Sequence, residues 1–189
     1  MRVLWSAVEM AQMLAARSLV PGDQAVDATA GNGKDTLWLA KQVGETGKIY
    51  AFDIQEQALA RARERLKEQG QGLLERILWI QESHEHLQHY VSPPVGAVMF
   101  NLGYLPGSDQ RIITKPESTI KALKDAWGLL KTGGVVTLVI YTGHPGGEEE
   151  KEAVYSHLQE LSLEHFSIVE YSFLNSKESP PRLVAVERK

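Results

Sequence analysis

Two stretches hold the residues with the clearest chemical potential, and each follows a run of apolar residues. The first is the turn Asp27-Ala28-Thr29-Ala30-Gly31-Asn32-Gly33, after which Asp35 and Thr36 begin a helical pattern. Glycines let a ligand approach the backbone closely. A helix N-terminus ordinarily attracts anions, but Asp27 and Asp35 would make this pocket acidic. The turn therefore suits a ligand that carries positive charge.

A carboxylate further along the chain suits a ribose. Asp53 ends the next predicted strand, 20 residues after Gly33, where it can accept hydrogen bonds from both hydroxyls of a ribose, and Gln55 is a second polar neighbour. The third glycine of the dinucleotide pattern is replaced by Thr36. S-adenosylmethionine (SAM), a nucleoside with an ammonium and a sulfonium, fits better than a dinucleotide. Taken singly, Asp27 can cap a helix and Asp53 can simply end a strand.

The segment Glu82-Ser83-His84 follows the third predicted strand, where the adenine of such a ligand would pack. Ser83 can donate or accept a hydrogen bond there, and His84 lies beside it. The alternative is that Ser83 is a helix N-cap and that His84 belongs to the first turn of that helix.

A second stretch, Asn101-Leu102-Gly103-Tyr104, follows the fourth predicted strand. The side-chain carbonyl of Asn101 and the backbone carbonyl of Leu102 can accept hydrogen bonds from an amine and direct its lone pair. Tyr104 can stack on a base. The alternative is an ordinary turn with Tyr104 in the core.

The loop after the fifth strand joins a tyrosine and a histidine to several glycines. Tyr141, His144 and Gly146 lie in it, and His144 is a candidate proton acceptor because its ordinary pKa is about 6.5. In the preceding loop over 108–115, Arg111 and Lys115 are candidates for phosphate contacts. The alternatives are an inert surface histidine and a solvated polar loop.

The elements that must position these residues alternate along the chain. Apolar periodicity and turn residues predict helices over 1–20, 34–42, 56–69, 85–90, 115–130 and 148–161, and strands over 24–28, 48–53, 77–81, 95–101, 135–141, 167–174 and 183–187. This order predicts an α/β fold with a Rossmann-like, doubly wound, mostly parallel seven-stranded sheet. The last two strands have no helix between them, so we expect a C-terminal antiparallel hairpin.

Composition narrows the class of protein. The 189 residues, 43% of them hydrophobic, predict a single domain over 1–189, and the absence of cysteine excludes disulfides and favours a cytoplasmic protein. No stretch approaches the roughly 18 apolar residues of a membrane span, and the histidines lack the spacing of a metal site. The net charge of −4 excludes a general attraction to nucleic acid. The basic run from Arg61 to Lys67 includes Glu64 and is interpreted as a solvated helix face.

The three motifs together resemble a known family. Residues 26–36, 101–107 and 141–147 are similar to the motifs of small bacterial class I methyltransferases labelled rRNA methylases, although Ala30 and Lys34 depart from the usual residues. The family includes enzymes that act on tRNA. The resemblance implies methyl transfer from SAM to the primary aminomethyl group of the wobble uridine, with the tRNA anticodon region as partner. Two alternatives remain open: an N-methyltransferase of rRNA or of a small amine, and a nucleoside-binding regulatory module. Oligomeric state is not predicted.

Overall fold

The structure, a computed structural model, describes residues 3–103, 113–176 and 180–189, and it contains one seven-stranded sheet with helices on both faces. The strands are β1 (Gln24–Asp27), β2 (Lys48–Phe52), β3 (Ile77–Ile80), β4 (Val95–Leu102), β5 (Leu130–Ile140), β6 (Phe166–Tyr171) and β7 (Arg182–Arg188). The described helices are α1 (Ala7–Ser18), α2 (Lys34–Gln42), α3 (Glu56–Lys67), α4 (Gln71–Leu74), α5 (Leu87–Tyr90), α6 (Pro116–Leu129) and α7 (Gly147–Gln159), with a 3-10 turn at His84–His86.

The strand order is β3-β2-β1-β4-β5-β7-β6. Strands β1 to β5 are parallel, and β7 runs antiparallel to both β5 and β6. The predicted fold class and the C-terminal antiparallel hairpin are therefore confirmed. Because the chain winds outward in opposite directions from β1 and β4, the crevice of the sheet opens where those two strands end.

Apolar residues fill both faces of the sheet, as expected for central parallel strands covered by helices. On β2, Tyr50 and Phe52 belong to one core, and Ile49 and Ala51 belong to the core on the opposite face. This alternation follows from the two-residue repeat of a strand. The doubly covered sheet holds the ends of its strands rigidly, and those ends carry the candidate functional residues.

Several element boundaries differ from the sequence prediction, and the differences at α1 and β5 have clear local reasons. Helix α1 begins at Ala7 because Ser6 caps it: the Ser6 hydroxyl accepts the backbone N–H of Glu9, and the Glu9 carboxylate accepts that of Ser6. Strand β5 begins at Leu130, five residues before the predicted start, because its pairing with β4 shifts register across an irregularity that contains Gly133 with φ +74°.

Helix α3 packs closely on the glycine turn. A Cβ added to Gly33 would lie 2.7 Å from the Cβ of Ala62, so only glycine allows this approach. The Arg65 guanidinium donates to the Asn32 carbonyl at 2.7 Å, and Lys67 pairs with Glu64 at 3.9 Å. The basic run thus makes contacts within the chain, and the pair with Glu64 agrees with its interpretation as a solvated helix face.

In the parts of the chain that the structure describes, none of the helices combines the length and the apolar character that a membrane crossing requires.

Candidate functional site

A cavity of about 440 Å³ opens at the carboxyl ends of β1, β2 and β4. It lies at the point where the strand order reverses, which is the usual ligand position in such sheets. Ten predicted site residues line it: Gly31, Asn32, Asp35, Asp53, Gln55, Ser83, His84, Asn101, Leu102 and Tyr141. Residues from distant parts of the sequence therefore meet in one place, as the order of the strands predicted.

Asp53 joins the glycine turn to the start of α3. Its carboxylate accepts the backbone N–H of Gly31 at 2.9 Å and that of Gln55 at 2.8 Å. Burial raises the pKa of Asp53, and these two hydrogen bonds act in the opposite direction. Each carboxylate oxygen keeps a further lone pair that can accept a ligand hydroxyl.

His84 presents a hydrogen-bond acceptor in the wall of the cavity. Its Nδ1 lies 3.1 Å from the Ala28 carbonyl oxygen, a contact in which this nitrogen must carry the proton. Burial lowers the pKa of His84, so near neutral pH the ring is neutral and Nε2 carries a lone pair rather than a hydrogen. Nε2 is buried and has no hydrogen-bond partner within the described residues. A donor on a bound ligand would satisfy it.

The position of Ser83 is compatible with both roles considered from the sequence. It lines the cavity, and its hydroxyl accepts the backbone N–H of Glu85 at 3.3 Å as the N-cap of the 3-10 turn. Its own N–H donates to the Glu82 carboxylate at 2.9 Å. The two interpretations of this residue are compatible.

Asp35 fixes the orientation of Asn101. The Asn101 side-chain nitrogen donates to Asp35 at 2.6 Å, and Gln12 donates to the other carboxylate oxygen at 2.7 Å. The Asn101 backbone N–H donates to the Thr29 hydroxyl at 2.7 Å. Because a carboxylate only accepts, the amide nitrogen of Asn101 must face Asp35, and its side-chain oxygen is left for a ligand. Gln12 was missed from the sequence, where α1 showed only apolar periodicity.

Tyr141 and Leu102 lie beside Asn101 in the wall. Burial, and to a lesser degree the charge of Asp35, raises the pKa of Tyr141. Tyr141 therefore keeps its proton near neutral pH and suits a hydrogen-bond donor better than a proton acceptor. The Leu102 carbonyl accepts the Tyr141 backbone N–H at 3.3 Å, so one of its two lone pairs is already engaged.

Three predicted cofactor residues, Asp27, Gly33 and Thr36, lie behind the described wall of the cavity. Asp27 is fully buried and accepts the Thr36 hydroxyl at 2.6 Å and the Thr29 backbone N–H at 3.2 Å. Burial, and then the charge of Asp35, raises the pKa of Asp27 to about 7. These three residues shape the turn, and Asp35 is the carboxylate of the turn that faces the cavity.

The residues predicted from the two acceptor loops are more scattered. His144 packs beside the wall, with Nε2 3.2 Å from the position that a Cβ on Gly103 would take. Gly146 precedes α7 with φ +86° and packs against Ile113, which lines the cavity. Lys115 is exposed at the start of α6, next to the lining residue Thr114. Tyr104 and Arg111 lie outside the described residues.

One buried carboxylate was missed from the sequence. Glu150 is 1% exposed and accepts the hydroxyls of Thr114 at 2.6 Å and Thr119 at 2.7 Å. Burial raises its pKa. A signal was available in the sequence: Glu150 precedes Val154 and Leu158 at helical spacing, and all three face the core.

No group of three or more histidine or carboxylate side chains is placed to hold a metal ion in residues 3–103, 113–176 and 180–189.

Comparison with known proteins identifies the architecture. A family model described as "Putative rRNA methylase" matches residues 49–187. A chloroplastic tRNA (mnm(5)s(2)U34)-methyltransferase of Arabidopsis thaliana is 37% identical over 183 residues, which are 92% of this chain and 66% of that protein.

Solved structures agree with these matches. A Clostridium thermocellum chain with the same description as the family is 40% identical, with a TM-score of 0.95 and complete coverage of both chains. A Streptococcus mutans chain solved in complex with SAH is 35% identical, with a TM-score of 0.89, and the match covers 99% of this chain and all of that one.

Proposed function

The chain belongs to the rRNA methylase family, and from that premise we propose that it is a SAM-dependent methyltransferase that acts on tRNA. The acceptor is the primary amine of 5-aminomethyl-2-thiouridine at the wobble position, in the anticodon region. The Arabidopsis relative, named as a tRNA (mnm(5)s(2)U34)-methyltransferase, supports this substrate. The observation that carries the proposal is the fixed orientation of Asn101, whose free amide oxygen can hold an amine in the cavity.

The described side chains fit SAM by charge and by hydrogen bonding. Asp35 offers the negative charge that an ammonium or sulfonium favours, and Asp53 offers lone pairs to a ribose diol. His84 lines the part of the cavity that is assigned to the adenine. SAM supplies a methyl carbon on a sulfonium, which the lone pair of an amine can attack.

Asn101 orients the acceptor. Its side-chain oxygen and the remaining lone pair of the Leu102 carbonyl can each accept one N–H of a neutral primary amine, which leaves the nitrogen lone pair to point elsewhere. Asp35 holds the amide, so this geometry exists before the acceptor binds. Preorganisation of this kind lowers the barrier to reaction because little orientation remains to be achieved.

The amine must lose a proton before it can react. An alkyl amine is mostly protonated near neutral pH, and transfer into a partly enclosed cavity favours its neutral form. Tyr141, which stays protonated, can donate a hydrogen bond in the cavity but is a poor acceptor for this proton. His144, beside the wall, is the candidate that passes the proton to water.

Nucleoside analysis tests the proposal directly. Purified protein is incubated with SAM and with bulk tRNA that carries 5-aminomethyl-2-thiouridine, and the digested nucleosides are analysed by mass spectrometry. A mass gain of one methyl group on that nucleoside supports the proposal. If rRNA or a free amine is methylated and tRNA is not, the proposed substrate is wrong and the methylated molecule takes its place. If SAM binds without any turnover, the protein is a regulatory module.

A further inference from the structure

Glu150 is a buried carboxylate that the proposed chemistry does not use. It lies in the first turn of α7 and is 1% exposed, whereas its neighbour Glu149 is exposed. Burial of a carboxylate is unfavourable unless hydrogen bonds compensate for the lost water. The hydrogen-bond partners of Glu150 therefore have to account for its burial.

Those partners come from the chain that enters α6. The Thr114 hydroxyl donates to one oxygen of Glu150 at 2.6 Å, and the Thr119 hydroxyl donates to the other at 2.7 Å. Thr119 is itself fully buried. The carboxylate therefore determines the direction in which the Thr114 hydroxyl proton points.

That direction fixes a contact in the wall of the cavity. Because the Thr114 hydroxyl gives its proton to Glu150, its oxygen is free to accept the backbone N–H of Gly103, at 2.8 Å. In return, the Thr114 backbone N–H donates to the Gly103 carbonyl at 2.9 Å. Gly103 and Thr114 both line the cavity. Gly103 is two residues after Asn101 in the chain and directly follows the end of β4.

We propose that Glu150 is a positioning residue for the acceptor half of the cavity: its carboxylate holds the Thr114 hydroxyl on the backbone amide of Gly103. This role rests on the proposed function, because it concerns the half of the cavity assigned to the RNA amine. Asp53 and His84, assigned to SAM, have no contact with this chain of hydrogen bonds in the described residues. Loss of Glu150 therefore affects the acceptor more than SAM.

Four variants and one control separate a positioning role of Glu150 from a general effect on the stability of the protein. Glu150→Ala removes the acceptor of both hydroxyls, and Glu150→Gln restores an amide oxygen at the same place. Thr114→Val removes the hydroxyl, and Thr114→Ser retains it. Glu149→Ala is the matched control on the exposed side of α7. For each variant, the melting temperature, the Kd of SAM and the KM of an anticodon stem-loop with 5-aminomethyl-2-thiouridine at the wobble position are measured.

Glu150→Ala and Thr114→Val are expected to raise the KM of the stem-loop by about tenfold or more, as loss of a hydrogen bond to a charged group implies. The Kd of SAM stays within about twofold of the wild-type value, which is less than 0.5 kcal/mol. Glu150→Gln and Thr114→Ser recover most of the loss. An equal effect on SAM and stem-loop, or no recovery in the conservative variants, would overturn the positioning role.

Hydrogen exchange at the backbone amides of Gly103 and Thr114 provides a readout without activity. Faster exchange at both amides in Glu150→Ala, with exchange near the wild-type rate in Glu150→Gln and in Glu149→Ala, supports the proposal. If the wild-type protein methylates no tRNA, the proposed function fails, and the exchange rates still decide the role of Glu150. Unchanged exchange in Glu150→Ala would overturn it.

Discussion

The side chains of Asn101 and Asp35 are joined by a hydrogen bond of 2.6 Å although 66 residues separate them in the sequence. Asn101 lies at the end of β4, and Asp35 lies in the first turn of α2. The contact links the acidic turn, assigned to SAM, to the residue assigned to the acceptor amine. One hydrogen bond thus connects the two halves of the cavity and determines which end of the Asn101 amide faces the ligand.

Asn101→Ala is expected to leave the affinity for SAM nearly unchanged and to lower single-turnover methylation by two or more orders of magnitude, roughly 3 kcal/mol. The lost oxygen orients the nucleophile more strongly in the transition state than in the ground state. Rapid-quench methylation of the stem-loop at saturating SAM measures the effect. Asn175→Ala, in an exposed loop, is the control. Wild-type rates in Asn101→Ala would refute the orienting role.

Asp53→Ala is expected to weaken the binding of SAM and of its demethylated product equally, by about 1 to 3 kcal/mol, through loss of hydrogen bonds to ribose. Titration calorimetry with both ligands provides the measurement. Glu56→Ala, three residues later and exposed at the start of α3, removes the same charge without the contact. Unaltered SAM affinity in Asp53→Ala, or an equal loss in Glu56→Ala, would contradict the assignment.

Much of the fold was predictable because local signals and topology agreed. Strand, turn and helix alternated along the chain, and strand ends in a parallel sheet meet at one edge. The predicted bounds of α2 are those observed, since Gly33 and the loop after Gln42 mark its ends clearly. The early start of β5 was hidden because Gly133 and Gly134 resemble a turn although they belong to an irregular part of the strand.

The site was only partly predictable, because the sequence does not show which side of the backbone a side chain occupies. Asp27 and Asp35 looked equivalent as acidic residues of one turn, but Asp27 points under the turn to Thr36 and Asp35 points into the cavity. Gln12 and Glu150 were missed because each reaches its partner across the fold, over 23 and 36 residues. The helical spacing of Glu150 with Val154 and Leu158 indicates burial, but no local pattern identifies a partner so far away in the sequence.

Gly33→Ala is expected to destabilise the protein by more than about 1 kcal/mol and to lower its melting temperature by several degrees. The new Cβ would lie 2.7 Å from that of Ala62, and φ is +73°. Gly128→Ala is the matched control: nothing lies within 4 Å of its Cβ position in α6, so we expect a gain of about 0.5–1 kcal/mol. Thermal unfolding of both variants measures the difference, and a stable Gly33→Ala protein would contradict the packing argument.

Lys115→Ala is expected to reduce the salt dependence of tRNA binding by about one unit of the logarithmic slope, because one phosphate contact is lost. Lys115 is exposed beside the mouth of the cavity. Lys48 lies at the start of β2, at the end of the strand opposite to the cavity, and Lys48→Ala is the control variant. Fluorescence titrations of tRNA at several salt concentrations give the slopes. Equal slopes in wild type and Lys115→Ala would remove this lysine from the interface.

The buried Asp27 is expected to make folding stability depend on pH. Its pKa is about 7 in the folded chain and near 3.8 when unfolded, so between these values the folded state binds more protons. Stability attributable to Asp27 therefore falls as pH rises from about 4 to 7, by up to about 1.4 kcal/mol per pH unit, and levels off above that range. The raised pKa of Asp53 acts in the same direction, and the lowered pKa of His84 acts in the opposite one.

Comparison with Asp27→Asn isolates the contribution of Asp27, since the other groups titrate in both proteins. Urea unfolding of wild type and variant at pH 5, 6, 7 and 8 gives the difference in unfolding free energy at each pH. We expect wild type to lose stability relative to Asp27→Asn from pH 5 to 7 and to change little from 7 to 8. A constant offset of either sign reflects the altered hydrogen bonds to Thr36 and Thr29 and leaves the slope unaffected. Parallel curves over the whole range would mean that Asp27 is ionised throughout, in spite of its burial.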